Sequence, residues 1–190
     1  MDYPLAFWKL SENDYSNRIL SLLPAKEVDN AIEIKNFYSW FLPGFEDGVF
    51  TIEFWVDKKD IDNFGIFMQN ENGSCIGAIG KVKEYIAFML GSKIVTKSIP
   101  DIEGRINIYC VYNQKKMQIF INGIPSETLV LEDSFKFQDG VEKFVVSNIS
   151  DLAFFARQLS DNEIKAHLSW ENYTFKEHKE VLSDFFEDAK

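Results

Sequence analysis

The chain has 190 residues, the length of one domain, and its 46% hydrophobic content excludes a disordered polypeptide. With 20 Lys+Arg against 30 Asp+Glu it carries a net charge of −10, so neither nucleic acid nor insertion into an anionic membrane is expected. Its 18 Phe residues, together with more Ile than Leu or Ala, favour pleated, half-buried surfaces over helices.

The opening MDYPLAFWKL has neither a basic segment nor a long apolar one. No signal peptide is therefore expected, and the protein is expected in the cytoplasm or in a virion. Residues 5–10 and 31–35 read as strands. Between residues 36 and 45 the sequence runs NFYSWFLPGF, with Phe37, Tyr38, Trp40, Phe41 and Phe45 in one irregular stretch. Aromatic side chains of this density anchor protein interfaces or stack on sugar C–H faces, and these five are the candidate ligand or partner residues. The competing reading is that Trp40 and Phe41 close one end of the core.

Residues 49–57 (VFTIEFWVD) alternate strictly, with Phe50, Ile52, Phe54 and Val56 on one face and Thr51, Glu53 and Trp55 on the other. An oxygen-rich turn follows, in which Asp57, Asp60 and Asp62, with Asn63, are candidate calcium ligands. Their spacing does not match an EF-hand, and a plain acidic turn competes with the metal reading. No cofactor is expected. Further strands are predicted over 64–69, 74–79, 85–90, 105–113, 116–122, 128–131, 143–147 and 152–157. The pair 105–113 and 116–122 joins through Asn113, Gln114 and Lys115, and Asn122–Gly123 marks the next turn. Each long strand is expected to bury one face. Cys75 and Cys110 lie in strand patterns and read as small buried hydrophobes.

Helix signals appear late. Ser160 and Glu163 form a capping box that opens a predicted helix over 161–170, and Thr174 with Glu177 repeats the device. The second helix carries Phe175, Leu182, Phe185 and Phe186 on one stripe, which needs a cover and is the candidate assembly helix. Many short strands separated by Gly, Asn and Asp turns indicate a β-sandwich or barrel.

Several segments together resemble the concanavalin A-like, laminin G-like jelly-roll domains. They are LAFWKL (5–10) followed by Asp14-Tyr-Ser-Asn17, FTIEFWV (50–56), IFING (119–123) and ISDLAFFARQLSDNEIKAHL (149–168). The resemblance implies an all-β fold, a two-sheet antiparallel jelly-roll β-sandwich with short C-terminal helices. It divides the chain into a domain over 1–170 and a helical extension over 171–190. It also nominates Asp14 as a calcium ligand. The family's Asp-Glu pair at the start of the last strand is Ser150–Asp151 here, which removes one carboxylate from a metal site at that point.

Catalytic signatures are sparse. Glycoside hydrolysis needs two facing carboxylates, and the one strand candidate, Glu53, has Thr51 and Trp55 as same-face neighbours. G-x-S-x-G, Walker and H-E-x-x-H motifs are absent. The expected function is a non-enzymatic recognition or structural module, foremost a bacteriophage tail, baseplate or capsid accessory protein. It would bind a neighbouring subunit, its own copies or a cell-surface glycan. The alternatives are a free-standing lectin-like protein and a glycoside hydrolase acting through Glu53.

Overall fold

A computed structural model describes residues 6–8, 25–28, 31–34, 49–70, 72–135 and 143–168. In chain order the strands are β1 (Ala6–Trp8), β2 (Ala25–Val28), β3 (Ala31–Ile34), β4 (Val49–Asp57), β5 (Gly65–Gln69), β6 (Cys75–Val82), β7 (Tyr85–Leu90), β8 (Lys93–Ser98), β9 (Arg105–Asn113), β10 (Lys116–Ile121), β11 (Ile124–Pro125), β12 (Leu129–Val130), β13 (Lys143–Ser147) and β14 (Ser150–Phe155). Among the described residues one α-helix, α1 (Asp161–Leu168), follows. The first sheet runs β1-β14-β4-β9-β10-β11, with β12 also paired to β10. The second runs β2-β3-β13-β5-β6-β7-β8. All pairings are antiparallel. The late strands β13 and β14 insert between early ones in opposite sheets, which wraps the chain around the core between the sheets as a sandwich.

The core is made by alternation. Phe50, Ile52, Phe54 and Val56 of β4 and Ile106, Ile108, Cys110 and Tyr112 of β9 face Ile66, Met68, Ile86, Phe88, Phe144 and Val146 of the second sheet. Rings tie the sheets together: Phe50 stands edge-on to Phe88 at 6.3 Å and stacks on Phe154 at 5.9 Å, and Phe154 meets Phe144 at 6.4 Å. Each such buried ring contributes about 1.5–3 kcal/mol. Burial raises the Cys110 thiol pKa well above its ordinary value, so this cysteine is inert packing. Cys75 departs from the sequence reading. It is free and exposed, and its Sγ donates to the Gly77 carbonyl at 3.2 Å.

Turn chemistry fixes register where the sequence marks it. Asn122 (φ 47°) and Gly123 (φ 73°) both sit at positive φ, the two-residue geometry that suits the twist of a hairpin joining Ile121 to Ile124. Residue 122 therefore belongs to the turn and not to the strand predicted over 116–122. The last strand begins earlier than predicted, at Ser150, because a bulge at Asp151 (φ 43°) shifts its register on β4. Strands β2, β8 and β11 were not expected from the sequence.

One expectation fails instructively. Strand β9 was read as burying one face, yet it is buried on both. Tyr109, Val111, Phe120, Ala153 and Phe155, on the outer face of the first sheet, form a second cluster with Leu159 and with Ile164 of α1. The chain is held there by Thr51, whose hydroxyl donates to the Arg157 carbonyl at 2.9 Å and accepts from the Leu159 N–H at 3.0 Å. The capping box forms as read, with the Ser160 N–H donating to Glu163 Oε2 at 2.7 Å and the Glu163 N–H donating to Ser160 Oγ at 3.3 Å.

Candidate functional site

The candidate residues Phe37, Tyr38, Trp40, Phe41 and Phe45, the stripe Phe175, Leu182, Phe185 and Phe186, and Asp14 lie outside the described residues. The other candidates can be placed. Asp57 ends β4, Asp60 closes a short 3-10 turn (Lys58–Asp60), and Asp62 pairs with the ammonium of Lys81. Among the described residues, His, Cys, Asp and Glu nowhere gather in threes as a metal site. Asp57, Asp60 and Asp62 are thus not gathered into such a group, and the third of them pairs with a lysine.

Glu53 sits half-buried on the outer face of the first sheet. The Tyr109 hydroxyl donates to its Oε1 at 2.7 Å and Asn107 Nδ2 donates to the same oxygen at 3.2 Å. Its cross-strand partners are Ala153 and Tyr109, so no second carboxylate stands directly opposite on either neighbouring strand. At the end of the same face, Arg105 lies 5.0 Å from the Trp55 ring centre. Its Nη2 donates to Ser150 Oγ at 2.5 Å and to Asp151 Oδ2 at 2.8 Å. Where the resembling family has a pair of carboxylates, this chain therefore holds one carboxylate against a guanidinium. That arrangement locks the bulge. Asn107 Oδ1 and Asp151 Oδ1 are buried without a hydrogen-bond partner.

The second sheet presents a different outer face. Its in-register rows follow from the pairing. One row is Val145, Phe67, Ala78, Met89 and Ile94. The next, two residues along each strand, is Ser147, Gly65, Gly80, Ala87 and Thr96. The third is Val82, Tyr85 and Ser98. Phe67 is 44% exposed, Ile94 49%, Tyr85 46% and Val82 52%. The middle row is thus made of small residues, with Gly65 and Ala87 buried and Gly80 half-buried, between rows that carry the exposed Phe67 and Ile94 on one side and Val82 and Tyr85 on the other. The middle row runs about 19 Å across β13, β5, β6, β7 and β8, while the Val82 row, about 13 Å from the Phe67 row, spans β6 to β8 only.

Two glycines show that the middle row is a feature of the outer face and not a packing necessity. A Cβ on Gly77, which faces the core, would lie 2.9 Å from Leu90 Cδ2, 3.0 Å from Met68 Cε and 3.1 Å from the Met89 carbonyl, so only glycine fits. A Cβ on Gly80, which faces out, would meet nothing closer than the Phe64 carbonyl at 3.7 Å. Gly65 lies opposite Gly80, and the Phe67 ring leans over it: a Cβ there would be 3.1 Å from Phe67 Cε2 and 3.6 Å from Cζ. The far end of the ring therefore reaches over Gly65. Sequence reasoning missed this site, although a signal was present. Phe67 sits between core-facing Ile66 and Met68, so alternation places an aromatic ring on the solvent phase.

No protein-family model matches the chain, and a search of curated proteins finds no match. Solved structures do match. The binding domain of botulinum neurotoxin DC in complex with rat synaptotagmin II aligns with a TM-score of 0.62 at 16% identity, over 79% of this chain and 42% of that one. The botulinum neurotoxin serotype D/C VPI 5993 binding domain aligns with a TM-score of 0.65 at 12% identity, over 91% of this chain and 53% of that one. A third match is a structure reporting that cell entry of botulinum neurotoxin type C depends on interaction with two ganglioside molecules. It aligns with a TM-score of 0.60 at 14% identity, over 79% of this chain and 42% of that one. This chain spans about half the length of these proteins or less, and the likeness is one of fold, a β-sandwich.

Proposed function

We propose that the chain is a non-catalytic recognition module of the laminin G-like jelly-roll kind, with the outer face of the second sheet as its contact surface. The observation that carries this reading is the exposure of Phe67, Ile94, Val82 and Tyr85, each about half open to solvent on one face of the second sheet. An apolar arrangement of this kind marks an interaction site. The neurotoxin structures that share the fold are binding domains, one seen in complex with rat synaptotagmin II, which supports a binding role. The partner in this reading is a neighbouring subunit of a larger assembly, such as a phage tail, baseplate or capsid accessory structure, and the protein resides in the virion or the cytoplasm. The aromatic stretch Phe37–Phe45 and the terminal stripe Phe175–Phe186 are further proposed contacts. A lectin-like reading is favoured by one observation, the exposed aromatic ring of Phe67 reaching over Gly65. Nothing about Glu53 favours hydrolysis.

The test combines light scattering after size exclusion with a glycan array on the full chain. Both are repeated with Phe67→Lys/Ile94→Lys, with Glu53→Gln and with residues 171–190 deleted. Association or glycan retention should fall at least tenfold in the lysine pair and stay unchanged in Glu53→Gln. Polysaccharide cleavage lost in Glu53→Gln, or binding indifferent to the lysine pair, overturns the proposal.

A further inference from the structure

We infer that Asn72, in the connection between β5 and β6, is a site of spontaneous modification, converting to aspartate and isoaspartate in the folded chain, while Asn122 is protected from the same reaction. The inference stands apart from the recognition reading. The reaction consumes only water. The backbone nitrogen of Gly73 attacks Cγ of Asn72, so that an N–Cγ bond forms, the Cγ–Nδ2 bond breaks and ammonia leaves with the proton the nitrogen gave up. Water then opens the five-membered imide at either carbonyl. One opening restores the backbone with an aspartate side chain. The other routes the backbone through the side chain as isoaspartate. Either product carries one more negative charge than asparagine. Glycine is the favoured following residue because it has no Cβ to crowd the attacking nitrogen.

Asn-Gly occurs twice in the sequence, at 72–73 and 122–123. Both glycines sit at positive φ, 79° and 73°, so their own conformation does not separate the two pairs. Their surroundings do. Asn72, Gly73 and Ser74 are all exposed, and a Cβ on Gly73 would meet nothing within 4 Å, which leaves room for the imide ring to close. The Gly73 N–H donates to the Asn70 carbonyl at 2.9 Å, but at an exposed residue water replaces such a bond at small net cost. The base of the connection is clasped: the Asn70 N–H donates to the Ser74 carbonyl at 3.1 Å, and the Ser74 N–H donates to Asn70 Oδ1 at 2.9 Å. The strands therefore stay paired while the tip reacts.

Asn122 is half-buried and Gly123 buried. The Asn122 N–H donates to the Asn107 carbonyl at 2.9 Å, and Asn122 Oδ1 accepts from the Asn107 N–H at 2.9 Å. For Cγ of Asn122 to meet the Gly123 nitrogen, its carboxamide must leave that N–H, which belongs to a wholly buried residue. A buried donor left without its acceptor slows the step by about tenfold or more.

Incubation of the full chain in oxygen-18 water at mildly alkaline pH tests this, followed by trypsin digestion in ordinary water and mass spectrometry. Cleavage after Lys59, Lys81, Lys116 and Lys136 puts the two asparagines on separate peptides. The Asn72 peptide should gain solvent oxygen-18 at residue 72, as a mixture of aspartate and isoaspartate, and the Asn122 peptide should do so at least tenfold more slowly. In urea the two should convert at similar rates. Gly73→Ala should slow the conversion at least tenfold, and Asn72→Gln should remove it from that peptide. An unaltered thermal midpoint in Asn72→Gln shows that the fold is intact. No conversion at Asn72 in the folded chain while the urea-unfolded chain converts, or conversion at folded Asn122 within tenfold of that at Asn72, overturns the inference.

Discussion

On the outer face of the first sheet Tyr109, Val111, Phe120 and Phe155 are buried, while on the outer face of the second Phe67, Val82, Tyr85 and Ile94 are about half exposed. Both faces are written in the same period-2 code, with apolar residues on the phase that alternation assigns to solvent. The difference lies in what the chain does next. After β14 it turns back over the first sheet, pinned by the Thr51 hydroxyl, and lays Leu159 and Ile164 on the exposed rings. Among the described residues no element returns over the second sheet. Apolar side chains on a sheet's outer face thus mean a second core in one place and an exposed surface in the other. Only the connection after the strand decides which.

The comparison breaks first at its largest side chains. Phe120→Ala removes a ring from the closed cluster and should cost about 3–5 kcal/mol in urea denaturation. Phe67→Ala, on the open face, should cost less than about 1 kcal/mol. Equal costs would mean that the second face is covered in solution as the first is. Thr51→Val strips the pin and leaves the Leu159 N–H and the Arg157 carbonyl without it. A loss of about 1–3 kcal/mol is expected. Native-state hydrogen exchange should speed up in α1 before it does in β5 to β8, because the closed face opens first.

The glycines sharpen the same contrast. Gly77→Ala drives a Cβ to within 2.9 Å of Leu90 Cδ2 and 3.1 Å of a backbone carbonyl. It should destabilise by about 1–3 kcal/mol. Gly80→Ala, three residues along the same strand, should stabilise by about 0.4–1 kcal/mol by restricting the unfolded chain. Opposite signs in thermal unfolding are the expected result. A destabilising Gly80→Ala would mean that this position is packed against something.

Much of this was legible because burial and alternation coincide. Strands over 85–90 and 143–147 match the sequence reading to the residue, since each carries its core residues on one phase with turn residues at both ends. The edge strand β8 was missed because only Val95 of its six residues is buried and lysines occupy two positions, as suits an edge that must not pair with strangers. Strand β11 has two residues, one of them proline, too few for any period. The site was harder to see. Cross-strand pairing brings Gly65, Gly80 and Ala87 side by side, and no spacing along the chain reveals register. The leaning of Phe67 depends on a glycine two residues before it, a local signal available in the string GIF.

The smallest expected effect concerns the cover itself. Glu163 is held well below the usual carboxylate range, to about 2, chiefly because the Ser160 backbone N–H donates to it. The Ser160 hydroxyl and the Arg157 guanidinium, 2.8 Å away, act in the same direction against partial burial. A carboxyl whose pKa is lower folded than unfolded stabilises the fold above its unfolded value, here 4.5, and loses that contribution as pH falls through about 2. Amide exchange in α1, normalised for intrinsic rate, should therefore be flat from neutrality to about pH 4.5 and rise between there and pH 2. Strands β5 to β8 should show no matching step, because they carry no carboxylate. Glu163→Gln retains a side chain able to reach the Ser160 N–H but does not titrate, so the step in α1 should vanish. If the step persists in that variant, the acid sensitivity of the first face's cover lies outside the capping box.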